Sequence, residues 1–159
     1  MISLVLLLQL ATAYPVAIGD QAPDQPVLDL AGQPVRPRER APVVVSFFAT
    51  WCEPCHLQLA DLLAIRTKGA PFNLILIAVG EPVGRVRRFL TGQAIPSDVI
   101  VGLDENATIA HAWGQDRFPT VFLVDQSWTI RHINRGYGRG FRARFERWLR
   151  DIPSTRQRP

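Results

Sequence analysis

The apolar positions of this chain come in blocks whose spacing changes from one block to the next. Val43–Phe48 (VVVSFF) is apolar except at Ser46, and 72–79 (FNLILIAV) is nearly so. Short unbroken apolar runs rich in β-branched residues predict strands covered on both faces. Between them, residues 55–68 carry Leu57, Leu59, Leu62, Leu63 and Ile65, and Gly69-Ala70-Pro71 ends this helical stretch. Further on, the pattern predicts a short helix over 82–90 opened by Pro82, a strand over 99–103, and a helix over 106–113 stopped by Gly114. A hairpin of 120–125 (TVFLVD) and 129–134 follows. The closing helix, 139–150, places Phe141, Phe145, Trp148 and Leu149 at i, i+4, i+7 and i+8, an amphipathic face for a core. Upstream, 27–30 and 33–36 flank a turn at Ala31-Gly32 and predict a small hairpin.

Strand–helix alternation of this kind predicts one α/β domain with a mixed central sheet flanked by helices. Its expected bounds are 27–152, preceded by a proline-rich extended arm over 14–26 (Pro15, Pro23, Pro26) and followed by a disordered tail over 153–159. A chain of 159 residues suits one domain. Its 47% of hydrophobic residues can build a real core. No disulfide is needed as a staple.

The first residues read MISLVLLLQLATA. This apolar run is too short to span a bilayer but fits the core of a signal peptide. Ala11-Thr12-Ala13 supplies an A-x-A cleavage site, so residues 1–13 are expected to be a leader cleaved after Ala13. Its start lacks Lys and Arg, so a start codon further upstream is one reading; a buried N-terminal strand is the alternative. Export would place the protein in the periplasm or another extracytoplasmic, oxidising compartment. The formal charge is +4, and Lys68 is the only lysine among 18 basic residues. The arginines are spread along the chain. Those from Arg135 to Arg150 interleave with the apolar face of the last helix, which describes a solvated surface. With no stacking motif, nucleic-acid binding is not expected.

Chemistry concentrates in Trp51-Cys52-Glu53-Pro54-Cys55, which holds both cysteines of the chain. A Cys-x-x-Cys at a strand-to-helix junction is a dithiol placed to switch between reduced and disulfide forms. Cys52 at the helix start would have its thiolate favoured by free N–H groups and the helix dipole. Pro54 suits the first turn, where its missing N–H removes no bond. An exposed Cys52 would attack a partner's disulfide, and Cys55 would resolve the mixed disulfide. Glu53 beside the pair opposes thiolate formation and leans toward a reductase. Other readings stay open. A structural disulfide closing so small a loop gains little. Cys52-Glu53-Pro54-Cys55-His56 also fits the C-x-x-C-H haem attachment pattern. The six-residue strand before it and the lack of any methionine besides Met1 speak against haem. A copper or zinc role for the two Cys and His56 lacks a fourth ligand, and His56 is expected on the exposed side of the helix. No cofactor or bound metal is expected. Peroxidase chemistry is not expected either, since Thr50 stands two residues before Cys52, short of a Thr-x-x-Cys pattern.

Phe48-Ala49-Thr50-Trp51-Cys52-Glu53-Pro54-Cys55 resembles the TlpA/ResA/CcmG-type thiol–disulfide oxidoreductases of the thioredoxin superfamily. Three other stretches agree. Gly19-Asp20-Gln21-Ala22-Pro23-Asp24 is similar to their N-terminal G-x-x-A-P-D, residues 80–114 match their central insertion, and Phe118-Pro119-Thr120 falls where they carry a cis-proline. The resemblance spans about residues 19–150. It implies a thioredoxin-like fold with an N-terminal hairpin extension, a redox-active disulfide between Cys52 and Cys55, and a cis Phe118–Pro119 bond beside it. It further implies that Phe118 and Pro119 orient the substrate chain while Trp51 shields the dithiol. The expected partners are protein disulfides and an upstream dithiol electron donor, membrane-bound in some relatives; the chain itself is expected to be monomeric. A binding module that grips thiol partners without turnover is the competing class. Two departures stand out. Thioredoxins carry a buried Asp where this chain has Ser46, and the family often carries Glu where it has Gln58. Neither carboxylate is there to move a proton on the resolving thiol. His56 could substitute if its ring turned toward Cys55.

Overall fold

A computed structural model describes residues 15–36, 41–70 and 72–152. The expected leader (1–13), Tyr14 and the expected tail (153–159) lie outside the described residues. Eleven elements follow one another: β1 (Val27–Asp29), β2 (Pro34–Val35), β3 (Val43–Phe48), α1 (Glu53–Thr67), β4 (Asn73–Val79), α2 (Val83–Thr91), β5 (Ile100–Asp104), α3 (Thr108–Ala112), β6 (Thr120–Val124), β7 (Ile130–Arg135) and α4 (Phe141–Asp151). The strands form one mixed sheet in the order β2-β1-β5-β4-β3-β6-β7. β3, β4 and β5 run parallel; β6 and β7 are antiparallel on one side, and β1 and β2 on the other. This is the thioredoxin-like α/β fold with its N-terminal hairpin.

β3 and β4 lack alternation in the sequence because both their faces are covered. Val44, Phe48, Leu74, Leu76 and Ala78 face α1, α2 and α4, whereas Val43, Val45, Phe47, Ile75, Ile77 and Val79 face α3 and the N-terminal arm. Successive side chains of a strand alternate faces, so one apolar run feeds two cores. The arm is fastened to β7 and the turn before it. Gly19 N–H donates to Ile130 O at 2.8 Å, Ala22 N–H donates to Trp128 O at 2.8 Å, and Ala22 is buried in the α3-side core. At the hairpin edge β1 lies so close to β5 that a Cβ at Gly102 would come within 2.2 Å of Val27 Cγ1. Only glycine allows that approach.

The helix expected over 106–113 is shorter, Thr108–Ala112. Its first turn is held from outside, because the buried Asp104 carboxylate at the end of β5 accepts from Ile109 N–H (3.2 Å) and Ala110 N–H (2.8 Å). Local capping signals miss a cap supplied from the preceding strand.

Asp125 and His132 both tie stability to pH in the acidic range. Burial pushes the Asp125 carboxyl up. Hydrogen bonds from Thr129 and Ser127 N–H and from the Arg131 guanidinium outweigh this and hold it below the ordinary 3.8. His132 stacks on Trp148 with ring centroids 4.6 Å apart; burial lowers its pKa below 6.5, and Asp151 opposes this. Both groups bind fewer protons folded than unfolded, so both favour the fold at higher pH. The His132 contribution is complete above the unfolded value of 6.5 and is lost as pH falls below it; that of Asp125 is lost below 3.8. Thermal melts should therefore show a lower Tm at pH 5 than at pH 7.5, and His132→Gln should flatten that interval. A variant whose Tm falls as steeply as the wild type would refute the assignment.

Candidate active site

The site stands where β3 hands over to α1. Five residues spaced along one helical stripe, Cys55, Gln58, Leu59, Leu62 and Ile65, bury one face of α1 against the sheet. Its N-terminus is thereby fixed at the rim. The helix begins earlier than the apolar spacing suggested, at Glu53, with Pro54 in the first turn. Cys52 is the N-cap, and its Sγ accepts from Cys55 N–H at 3.3 Å. Sulfur thus takes the place of the usual Ser or Asp oxygen at a helix start, where unpaired N–H groups favour negative charge. Cys52 and Cys55 are joined by a disulfide with S–S 2.08 Å.

The sequence predicted an exposed Cys52. In this oxidised form it is 5% exposed and Cys55 2%. The bond to Cys55 ties the Cys52 sulfur to the helix, and the residue in water is its neighbour, Trp51, 67% exposed. The Trp51 ring meets Phe118 edge-on at 5.6 Å. The Phe118–Pro119 bond is cis. Thr120, the residue after Pro119, pairs with Phe47 across β3 and β6, which sets Pro119 near the end of β3 that leads into the dithiol. Trp51, Cys52, Cys55, Phe118 and Pro119 therefore gather at one rim of the sheet. Glu53 and Pro54 are exposed beside them.

His56 does not lie on the exposed side of α1. Its ring is half-buried against Phe89, centroids 4.8 Å apart, and its Nε2–H donates to Thr50 O at 2.9 Å. A carbonyl only accepts, so Nε2 carries the proton. The ring turns toward the loop before the dithiol and not toward Cys55. Ser46 is buried in the middle of β3. Gln58 is fully buried; its Nε2 donates to Gly136 O at 3.4 Å, and its Oε1 finds no donor among the described residues.

One carboxylate at this rim was missed. Glu81 lies just beyond β4, is 2% exposed, and reaches across to Thr50. The available signal was an acidic residue separated only by Gly80 from the end of a nearly all-apolar strand. Reading it required knowing that β3 and β4 are neighbours. Among the described residues no group of three or more His, Cys, Asp or Glu side chains is gathered as a metal would need. No described helix is long and apolar enough to cross a membrane. A surface depression lined by Leu28, Leu30, Val83, Leu103 and Asp104 lies beside the hairpin and contains neither cysteine nor histidine.

Comparison with known proteins agrees with this fold. The Redoxin family model matches residues 17–146. The chain is 29% identical over 126 residues to the thiol-disulfide oxidoreductase ResA of Geobacillus thermodenitrificans, covering 76% of this chain and 71% of that protein. Among solved structures, a thioredoxin-family thiol:disulfide interchange protein from Chlorobium tepidum superposes with TM-score 0.68 at 24% identity, covering 85% and 97% of the two chains. StoA from Bacillus subtilis gives 0.64 at 15% identity, covering 78% and 94%. At these identities the two structures speak for the fold.

Proposed function

The chain belongs to the Redoxin family, in its TlpA/ResA/CcmG-like thioredoxin-superfamily branch, and on that premise we propose that it is an exported thiol–disulfide oxidoreductase that reduces disulfides in partner proteins. The observation that carries the reading is the Cys52–Cys55 disulfide at the N-terminus of α1. It is the oxidised end state of a reductive cycle. In the reduced protein the Cys52 thiolate attacks a partner disulfide: a Cys52–partner S–S bond forms, the partner's bond breaks, and its leaving sulfur takes a proton. Cys55 gives up its proton and attacks Cys52 Sγ. The Cys52–Cys55 bond forms and the partner's second sulfur leaves as a thiolate that takes up the proton Cys55 released, the first leaving sulfur having drawn its proton from water. Two electrons and two protons have then passed to the partner. An upstream dithiol protein restores the pair by the same exchange in reverse, and no cofactor takes part.

Support for each role is physical. Cys52 as nucleophile rests on its place at a helix N-terminus. Trp51 and Phe118 offer an apolar edge to an incoming chain, and the Phe118–Pro119 backbone lies next to it. Reduction as the direction rests on Glu53, whose carboxylate opposes the Cys52 thiolate and so disfavours a strongly oxidising couple. Export rests on the apolar leader and the A-x-A site in the sequence. We place the protein outside the cytoplasm on this ground. Equilibrating the Cys52–Cys55 couple with thiol–disulfide buffers tests the direction. A potential near thioredoxin's, about −270 mV, is expected, and a value near about −120 mV would make the protein an oxidant.

A further inference from the structure

Neither position at which the sequence analysis sought a carboxylate holds one, yet a carboxylate is present at this rim. β3 and β4 are parallel neighbours, so their C-terminal ends open on the same side of the sheet. The chain leaves β3 through Ala49, Thr50 and Trp51. It leaves β4 through Gly80, whose φ of 71° lies in the left-handed region open to glycine. That turn delivers Glu81 to the neighbouring loop. Glu81 Oε2 accepts from Thr50 N–H at 2.6 Å, and Oε1 accepts from the Thr50 hydroxyl at 2.6 Å. The Arg85 guanidinium, one turn along α2, lies 3.8 Å from Oε1. From the other side His56 Nε2–H donates to Thr50 O. The N–H, hydroxyl and carbonyl of one residue are thus all taken by side chains of α1 and of the β4–α2 junction. Cys52 N–H then closes the turn onto Ala49 O at 3.1 Å.

Such a concentration of bonds on an exposed-rim loop has a purpose to explain. Loops usually satisfy their polar groups with water. Here a nearly buried charge is spent on Thr50, two residues before the nucleophile. A carboxylate held in a fixed place of low polarity acts more strongly on a neighbouring thiolate than one in water. We infer that Glu81 is a positioning residue for the dithiol: it holds the Thr50–Trp51–Cys52 turn from behind and places there a negative charge that makes the reduced pair the better electron donor. This rests on the thiol–disulfide reading above. Charged and titratable groups tied to this turn or adjoining it in sequence include Glu53 and His56 on α1, Glu81, and Arg85 on α2. Arg85 offsets part of the Glu81 charge, at a separation wider than a close ion pair.

Glu81→Gln keeps the shape and one acceptor but removes the charge; Thr50→Val removes the hydroxyl, and Thr50→Ser keeps it. The reduced full chain is alkylated with iodoacetamide across pH to titrate Cys52. It is also equilibrated with glutathione and assayed for reduction of a model protein disulfide. Glu81→Gln should lower the alkylation midpoint by about half to one pH unit. It should also shift the equilibrium with glutathione about three- to tenfold toward the reduced protein. Thr50→Val should slow disulfide reduction about tenfold, with Thr50→Ser at the wild-type rate. The inference is overturned if Glu81→Gln leaves midpoint and equilibrium at wild-type values or moves them the opposite way, or if Thr50→Ser is as slow as Thr50→Val. Failure of the underlying reading looks different: the wild type itself would show no reversible Cys52–Cys55 couple.

Discussion

Replacing Cys55 by serine is expected to leave Cys52 covalently joined to its partner. Attack by Cys52 on a disulfide needs no help from Cys55, but release does, because the second S–S bond must form within the dithiol. Serine at 55 supplies a hydroxyl that does not take that role. The mixed disulfide should accumulate on non-reducing gels and vanish with a reductant. Turnover should fall at least about a thousandfold, and Cys52→Ser should fall as far without any adduct. The geometry makes the assignment of roles asymmetric. Cys52 is the N-cap beside the solvent-exposed Trp51, whereas Cys55 is 2% exposed on the buried stripe of α1. On the proposed roles a partner sulfur reaches Cys52 first, although both sulfurs are nearly buried in the oxidised form. If Cys55→Ser yields no covalent adduct while still binding its partners, the protein is a thiol-gripping module and not an enzyme. An adduct through Cys55 in a Cys52→Ser chain would reverse the assignment.

The largest effect on stability is expected from Phe122→Ala. Phe122 is fully buried at the centre of β6, with its ring edge-on to Phe47 at 5.8 Å and to Trp113 at 4.9 Å. Those rings join β3, β6 and the end of α3 into the core opposite the dithiol. Removing a phenyl ring from such a place loses its transfer free energy and leaves a cavity that rigid neighbours fill poorly, at a cost of about 3–5 kcal/mol. For a domain of this size each kcal/mol lowers Tm by about 2–4 °C, so a fall of about 6–20 °C is expected. Phe122→Leu, which keeps most of the volume, should lose less than half as much. Equal losses for the two variants would show that the ring contacts, and not the volume, carry the stability.

The strands and helices were legible because apolar periodicity is local. β3 was read to the residue, and β6, β7 and α4 to within two. The starts of α1 and α3 also fell within two residues, but their shifts have causes outside the apolar spacing. α1 starts at Glu53 because a cysteine sulfur caps it, and α3 starts at Thr108 because Asp104 supports its first turn from a strand. Trp51, Phe118 and Pro119 were placed by resemblance to the family, and the antiparallel pairing of β3 with β6 is what brings them together. His56 shows the limit. Its position one residue past the dithiol says nothing about which way its ring turns. Phe89 and the Thr50 carbonyl decide that, and Phe89 belongs to another helix.

By itself the sequence determined the order of elements, the two-sided burial of β3 and β4, and a dithiol at a helix start, since each follows from neighbours within a few residues. The tertiary structure alone decided how that dithiol is held: Cys52 nearly buried, His56 turned to Thr50, and Glu81 brought to the same residue from 31 positions away. A hydrogen bond between a side chain and a distant loop leaves no periodic trace in either segment. It exists only because two parallel strands, paired along their length, end side by side.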